Sequence, residues 1–324
     1  MLEVLEASGP ITIQDSGRRG WRRFGVPAAG PMDELAFAGA NLLAGNPNEA
    51  AMLEIGGGDI LLRAMSDCTI AVTGAGYGLT VNVWEYPLWG SYFVRKGWMI
   101  RLEKSGFGMW TYLAVTGGIE APVVLGSRST YLRGRFGGME GRAIQAGDLL
   151  RPGEARHAPA EAAGRSISSE GRPTYTREPL IEFVRGPQSE SIGDQSWKTL
   201  TTSSYQVGAA SDRMGYRLEG PRLKHRGSAD LLSEGMTAGS IQVPADGAAI
   251  IMMADCATTG GYPKIGCVIR ADLPLLAQCT PGKDHVQFRE TTVEAAQQKY
   301  RTAVQRMKSS IIEEDDEAAL RGAG

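Results

Sequence analysis

The chain has 324 residues, 42% of them hydrophobic, with 34 basic side chains against 36 acidic ones and a formal net charge of -2. That length supports two domains or one large one with a sizeable core, and the near-neutral balance offers no general electrostatic handle for nucleic acid. The start Met1-Leu-Glu-Val-Leu-Glu6 lacks a basic segment followed by an apolar core, and no apolar run is long enough to cross a bilayer; the expectation is a cytoplasmic chain that enters no membrane and binds no nucleic acid.

Arg18, Arg19, Arg22 and Arg23 form a basic cluster with Trp21 and Phe24. In a neutral chain such a cluster serves carboxylates or a local site more readily than bases. The first helical pattern follows at 32–43, where Met32, Leu35, Ala36, Ala40 and Leu43 repeat near helical period, Pro31 suits the first turn and Gly45 the stop. Beyond it come β-type runs bounded by glycine: Cys68–Thr73, Leu79–Trp84, Trp110–Thr116 and Leu180–Val184. Short runs at such spacing predict a mainly β chain, a sandwich or a barrel. Gly74-Ala-Gly-Tyr-Gly78 lacks the third glycine and the following helix of a dinucleotide fingerprint, and reads as a hairpin.

Composition shifts to Pro, Ala, Ser, Glu and Arg at about 151–179, which marks a boundary. The expected division is a first lobe at 1–155, a linker or crossover at 156–179, a second lobe at 180–292 and a tail at 293–324. The tail combines a helical stretch, Val293 to Met307, with the acidic run Glu313 to Glu317. A weak internal repeat spans the boundary. Val26–Gly30 matches Val207–Ser211, and Glu54 with Ile70–Val72 matches Glu234 with Ile250–Met252, which suggests duplication of one β-unit.

Several chemistries lack material. No G-x-x-x-x-G-K-[ST] loop is present to bind ATP by the P-loop route. The three histidines, His157, His225 and His285, are scattered in turn-like contexts, and the four cysteines form no C-x-x-C pair. No metal site, disulfide framework or Ser-His-Asp arrangement is therefore expected. What remains is a set of polar residues in glycine-rich turns: Asp15–Arg18, Gly126–Thr130, Ser211–Arg217, Ser233–Gly235 and Ile241–Val243. Most informative is Asp255-Cys-Ala-Thr-Thr-Gly-Gly-Tyr-Pro-Lys264, directly after the apolar run Ala248–Ala254. A buried strand ending there delivers an acid, hydroxyls and a lysine to a sheet edge, while glycines let backbone N–H groups approach a ligand. The same residues also suit a hairpin whose threonines satisfy its own backbone, and arginines that brace loops.

Ordered matches favour the functional reading of the loop. Ile13-Gln-Asp-Ser-Gly-Arg18, Gly25-Val-Pro27, Met32-Asp33, Ala40-Asn41, Leu53-Glu54, Gly117-Gly118 and Gly126-Ser-Arg-Ser-Thr130 lie in the first half. Arg213-Met-Gly-Tyr-Arg-Leu218, Ser233-Glu-Gly235, Gly239-Ser-Ile-Gln-Val-Pro244, Thr258-Thr-Gly-Gly-Tyr-Pro263, Asp272-Leu273 and Ala277-Gln278 follow in the second. With these, residues from Met1 to about Phe288 resemble the family of 5-oxoprolinase C subunits (PxpC or KipA; allophanate hydrolase subunit 2, or biotin-dependent carboxyltransferase family). Cys256-Ala257 departs from the residues frequent at those positions.

The resemblance implies a cyclophilin-like β-barrel, with two related barrel lobes and few short helices. It also implies a chain that works with a KipI-like B subunit and a separate A subunit, opening 5-oxoproline to glutamate with ATP as co-substrate of the complex. The allophanate hydrolase label fits poorly, because no Ser-Ser-Lys amidase signature is present. On this reading Arg213, with Arg128 as second choice, holds the substrate carboxylate. Thr258, Thr259, Gly260, Gly261 and Tyr262 face the oxygen that gains charge. Asp255 or Glu234 orients water or acts as base, and Lys264, Gln242, Asp15 and Arg18 complete the substrate site. One alternative is a carboxyltransferase that receives carboxybiotin from another protein, since no biotinyl Met-Lys-Met site is present, and acts on an amide or urea-like substrate. The other is a non-enzymatic regulatory partner of a kinase inhibitor.

Overall fold

Runs that are apolar on both faces need cover on both faces, and the first half of the chain supplies it. In a computed structural model, which describes residues 1–156 and 158–313, Met52–Gly56, Cys68–Gly74 and Trp110–Val115 are buried at every position. They lie together in a seven-stranded antiparallel sheet ordered Thr12–Gln14, Met52–Gly56, Trp110–Val115, Cys68–Gly74, Gly90–Val94, Arg165–Ile167, Ile311–Glu313. The helix Glu34–Leu43 packs on Cys68–Gly74 and Trp110–Val115. A six-stranded sheet, ordered Leu149–Leu150, Leu2–Ala7, Ile60–Ala64, Met99–Lys104, Tyr77–Val81, Trp84–Tyr86, shares a core with it through Val4, Leu62, Leu102, Leu53, Val72 and Leu113. Of the described residues, 1–18, 29–156, 158–173 and 304–313 make up this first unit.

The first unit is therefore two sheets and a helix, where the resemblance implies a second barrel; its strand pattern suits both architectures. The 74–78 turn is not a hairpin, because Cys68–Gly74 and Tyr77–Val81 belong to different sheets. Gly74 (φ 99°) and Gly76 (φ 84°) turn the chain from one to the other. The run Leu79–Trp84 is likewise broken at Asn82 (φ 54°), between Tyr77–Val81 and Trp84–Tyr86. The early helix begins at an Asp33 cap, whose carboxylate accepts from Ala36 N at 2.9 Å, so Pro31 precedes the helix instead of entering its first turn.

The stretch expected to link the lobes is mostly part of this unit. Arg165–Ile167 bridges to Gly90 and pairs with Ile311–Glu313, and Ala162 and Ile167 are fully buried despite the polar composition around them. Val293–Ser309 is helical as the tail pattern predicts, whereas residues 314–317 of the acidic run, and His157, lie outside the described residues.

The second unit, 19–28 and 174–303, is built on a closed seven-stranded barrel. Its order is Leu180–Arg185, Lys264–Val268, Ser240–Gln242, Ile250–Met252, Gly215–Glu219, Tyr205–Val207, His285–Glu290, and Leu180–Arg185 closes it by parallel pairing with His285–Glu290. Phe183 stacks on Trp197 of the helix Asp194–Thr202, with ring centroids 5.8 Å apart, and meets Phe288 edge-on. The two halves of the proposed repeat sit in unlike places. Glu54 is buried, accepting from Met32 N and Tyr112 Oη at 2.8 Å each, while Glu234 lies on an exposed two-stranded ribbon.

Lys299 ties the C-terminal helix to the barrel, with Nζ 2.8 Å from Glu182 Oε2 and 2.7 Å from the fully buried Asp272. Burial alone would push the Glu182 carboxyl up; Lys299 and Arg289 outweigh it and hold the group below the usual range. Lys299→Met should lower the unfolding free energy by about 1–3 kcal/mol, less than for a wholly buried pair because Lys299 is partly exposed. Guanidinium unfolding checks this: Lys299→Met/Asp272→Asn should recover part of the loss, and an unchanged midpoint in the single variant would exclude the anchoring role.

Candidate functional site

The 255–264 loop is held open by glycines and tied down at both ends. Thr259–Gly260 pairs with Glu234–Gly235 to form the ribbon, Met236 N donates to Thr258 O at 2.8 Å, and Leu231 N donates to Gly261 O at 2.8 Å. A Cβ on Gly260 would come within 2.6 Å of Gln242 Nε2, so only glycine allows this approach without displacing that side chain. Gln242, itself buried, donates from Nε2 to Tyr262 O at 3.2 Å and fastens the loop to the barrel strand Ser240–Gln242.

Lys264 opens the barrel strand Lys264–Val268 and sends its side chain to the ribbon. Its ammonium lies 2.9 Å from Glu234 Oε2 and donates to Gly235 O at 2.9 Å. Gln188, which has no motif around it in the sequence, closes the arrangement. Its Nε2 donates to the same Glu234 Oε2 at 3.0 Å, and its Oε1 accepts from Lys264 N at 3.1 Å. Lys264, then Gln188, hold the Glu234 carboxyl below the usual range, so Glu234 is an ionised but weak base. The hydroxyls of Thr258, Thr259 and Tyr262 have no hydrogen-bond partner among the described residues, and Thr259 and Tyr262 are exposed. The ribbon therefore offers donors and one oriented carboxylate to solvent.

Arg213 and Asp255 take a different part from the one expected of them. They are buried and paired in bidentate fashion, Nε to Oδ2 and Nη2 to Oδ1 at 2.9 Å each, and Asp255 N donates to Arg213 O at 2.8 Å. A guanidinium and a carboxylate buried within reach satisfy one another before either meets a ligand. The pair fixes the start of the loop.

Arg22 is a second member of the site that the sequence does not mark as one, although the basic cluster around it is visible there. From the turn Arg22–Phe24 its Nη2 donates to Met236 O and, at 3.2 Å, to Ala257 O, and lies 3.7 Å from Cys256 Sγ. It staples the two sides of the ribbon base. Burial pushes the Cys256 thiol up, and Arg22 offsets part of that. Cys256 is thus a packed thiol beside a cation, with no exposed sulfur.

The remaining expected residues lie in the first unit and form their own cluster. The Asp15 carboxylate accepts from Gly17 N at 2.9 Å, Ser129 Oγ at 2.7 Å, Ser127 Oγ and Arg128 N. Arg18 is fully buried, donating to Val124 O at 3.2 Å and to Ser129 O, with its guanidinium 4.7 Å from the Phe136 ring centroid. Both residues brace the 124–136 loop. Arg128 differs, because its half-buried guanidinium has no partner among the described residues.

Comparisons with known proteins bear on both units. The family pattern described as "Carboxyltransferase domain, subdomain A and B" matches residues 24–290. The C subunit of the Haemophilus influenzae 5-oxoprolinase is 37% identical over 299 residues, which takes in 91% of this chain and 93% of that protein. Its Escherichia coli counterpart is 36% identical over 302 residues, again 91% of this chain and 93% of the relative. Among solved structures, the urea amidolyase of K. lactis superposes with a TM-score of 0.87 at 27% identity, covering 98% of this chain and 20% of that one. The chain spans about a fifth of that enzyme's length.

The buried pair yields a stability test. Arg213→Met should cost about 3–5 kcal/mol, because it strands the Asp255 carboxylate inside the protein. Arg213→Met/Asp255→Leu should regain most of it. Equal stability of the single variant and the parent in urea unfolding would show that Arg213 is held for a ligand and not for Asp255.

Proposed function

This chain belongs to the family of carboxyltransferase domains, subdomains A and B, and on that premise we propose that it is the C-type subunit of an ATP-dependent 5-oxoprolinase, acting in the cytoplasm with a KipI-like B subunit and a separate A subunit. The two C-type relatives, matched over nearly their whole length, support that reading. The observation that carries it is the ribbon, where an oriented ion pair and unengaged hydroxyls stand together at the mouth of a rigid barrel strand.

The conversion consumes one ATP and two waters: one water ends in the inorganic phosphate released with ADP, and the other adds to the lactam carbon, after which the C–N bond breaks. The ring nitrogen leaves as an amine, carrying a proton that derives from the water. Charge develops on oxygen at the addition step. Lys264 Nζ retains one N–H beyond those donated to Glu234 and Gly235, and the Thr258 and Thr259 hydroxyls are adjacent donors, which suits stabilisation of that charge. Glu234, kept ionised and held by Oε2, positions a partner on Oε1 more readily than it abstracts a proton.

In the complex reconstituted with its A and B subunits, Lys264→Ala should lower ATP-dependent conversion of 5-oxoproline to glutamate by about 10²–10³ in kcat, as for loss of one oxyanion donor. Undiminished turnover would remove this assignment. The likeness to urea amidolyase favours one further reading, in which the same ribbon receives a carboxybiotin ring from another protein. Transfer of labelled carboxylate from carboxybiotin to an amide acceptor, without ATP-dependent ring opening, would establish that reading in place of the first.

A further inference from the structure

We propose that Glu234 and Lys264 read the cis-amide edge of a ring, with the ring N–H on Glu234 Oε1 and the ring carbonyl on Lys264 Nζ, and that Gln188 is the positioning residue for this pair. The proposal rests on the reading of the ribbon as a substrate site and names the chemical feature that the site selects.

Atoms already committed within the ribbon define what is left for a ligand. Glu234 Oε2 accepts from Gln188 Nε2 at 3.0 Å and faces Lys264 Nζ at 2.9 Å, whereas Oε1 has no partner among the described residues. Lys264 Nζ spends one N–H on Glu234 and one on Gly235 O, and an ammonium has three. What the pair shows outward is one acceptor beside one donor. Gln188 holds the geometry from both sides: its side chain bonds Glu234 and Lys264 N, and its own N–H donates to Lys264 O at 3.2 Å.

An acceptor beside a donor is the complement of an amide whose N–H and C=O point the same way. Acyclic secondary amides are trans, with these groups on opposite sides, and the cis form costs about 2.5 kcal/mol. A five-membered lactam is cis by ring closure and presents both groups on one edge without that cost. The ion pair therefore selects rings over open-chain amides, including the peptide backbone. The Leu231 N to Gly261 O bond joins the backbone segments that carry Leu232 and Tyr262, both of which are exposed.

The test is a protein-detected NMR titration of the full chain with small probes. 2-Pyrrolidone should bind saturably. N-methyl-2-pyrrolidone, which lacks the N–H, and N-methylacetamide, which is trans, should each bind at least about tenfold more weakly. Glu234→Gln and Lys264→Met should each weaken 2-pyrrolidone by about tenfold with the spectrum otherwise intact. Equal binding of 2-pyrrolidone and its N-methyl analogue, or no saturable binding of 2-pyrrolidone, overturns the proposal. 2-Imidazolidinone separates the sources of such an edge: if it binds as well as 2-pyrrolidone while the reconstituted complex opens no 5-oxoproline, edge recognition stands and the oxoprolinase reading falls.

Gln188→Leu adds a readout that a merely structural role would not move. It removes a donor from an ionised carboxylate whose pKa is held low, so the Glu234 pKa rises. Binding that needs the ionised form is present above that pKa and lost as pH falls through it. The acid limb of 2-pyrrolidone binding should therefore shift to higher pH, and affinity at neutral pH should fall as the pair loses its bracing. An unmoved limb removes Gln188 from the positioning role.

Discussion

One lysine side chain joins the rigid and the open parts of the second unit. Lys264 belongs by its backbone to the closed barrel, and by its ammonium to the ribbon of Glu234–Gly235 and Thr259–Gly260. A two-stranded ribbon of this length has little stability of its own. Its position is over-determined instead by bonds from neighbours: Gln242 to Tyr262 O, Arg22 to Met236 O and Ala257 O, and Gln188 to Glu234. Gly260 leaves the room that Gln242 needs to reach the loop. The result is a polar surface on a short element that is nonetheless fixed, which is what recognition of a small ligand requires.

Two acid–base pairs near the loop illustrate how burial sorts similar residues into different roles. Arg213 and Asp255 are both buried, so each has the other as its compensating charge, and loss of either is costly out of proportion to the pair's net worth. Glu234 is half-exposed and Lys264 much less so. Solvent screens such a pair, which therefore adds little to stability. A contact of small net value is one that a ligand can share without unfolding anything. Asp255 thus carries a buried pair at one end of the loop, and Lys264 carries a partly exposed one at the other.

What is legible in the sequence follows from range. Cys68–Thr73, Trp110–Thr116, Leu180–Val184 and the helix near 32–43 are local patterns, and each became an element close to the expected bounds. The glycine-rich loop also declares itself, because its polar residues are contiguous. Sheet membership does not: nothing local distinguishes a hairpin at 74–78 from a passage between sheets, since both need glycine with positive φ. The partners of the loop are hidden for the same reason. Gln188 reaches Lys264 across 76 positions and Arg22 reaches Ala257 across 235, and no periodicity encodes such meetings. Arg213 is visible as an arginine in a polar turn, but only coordinates could show that Asp255, 42 positions on, takes up its charge.

The weak basicity of Glu234 limits how the chemistry can be divided. A carboxylate held ionised by an ammonium and an amide is a good acceptor and a poor proton carrier. Asp255 is locked to Arg213, and the ribbon's other polar side chains are hydroxyls and a lysine. Hydrolysis of a lactam needs proton removal from water and proton delivery to nitrogen. On the proposed function, therefore, this chain orients the ring and steadies charge on its oxygen, and the proton-transferring group belongs to another member of the complex.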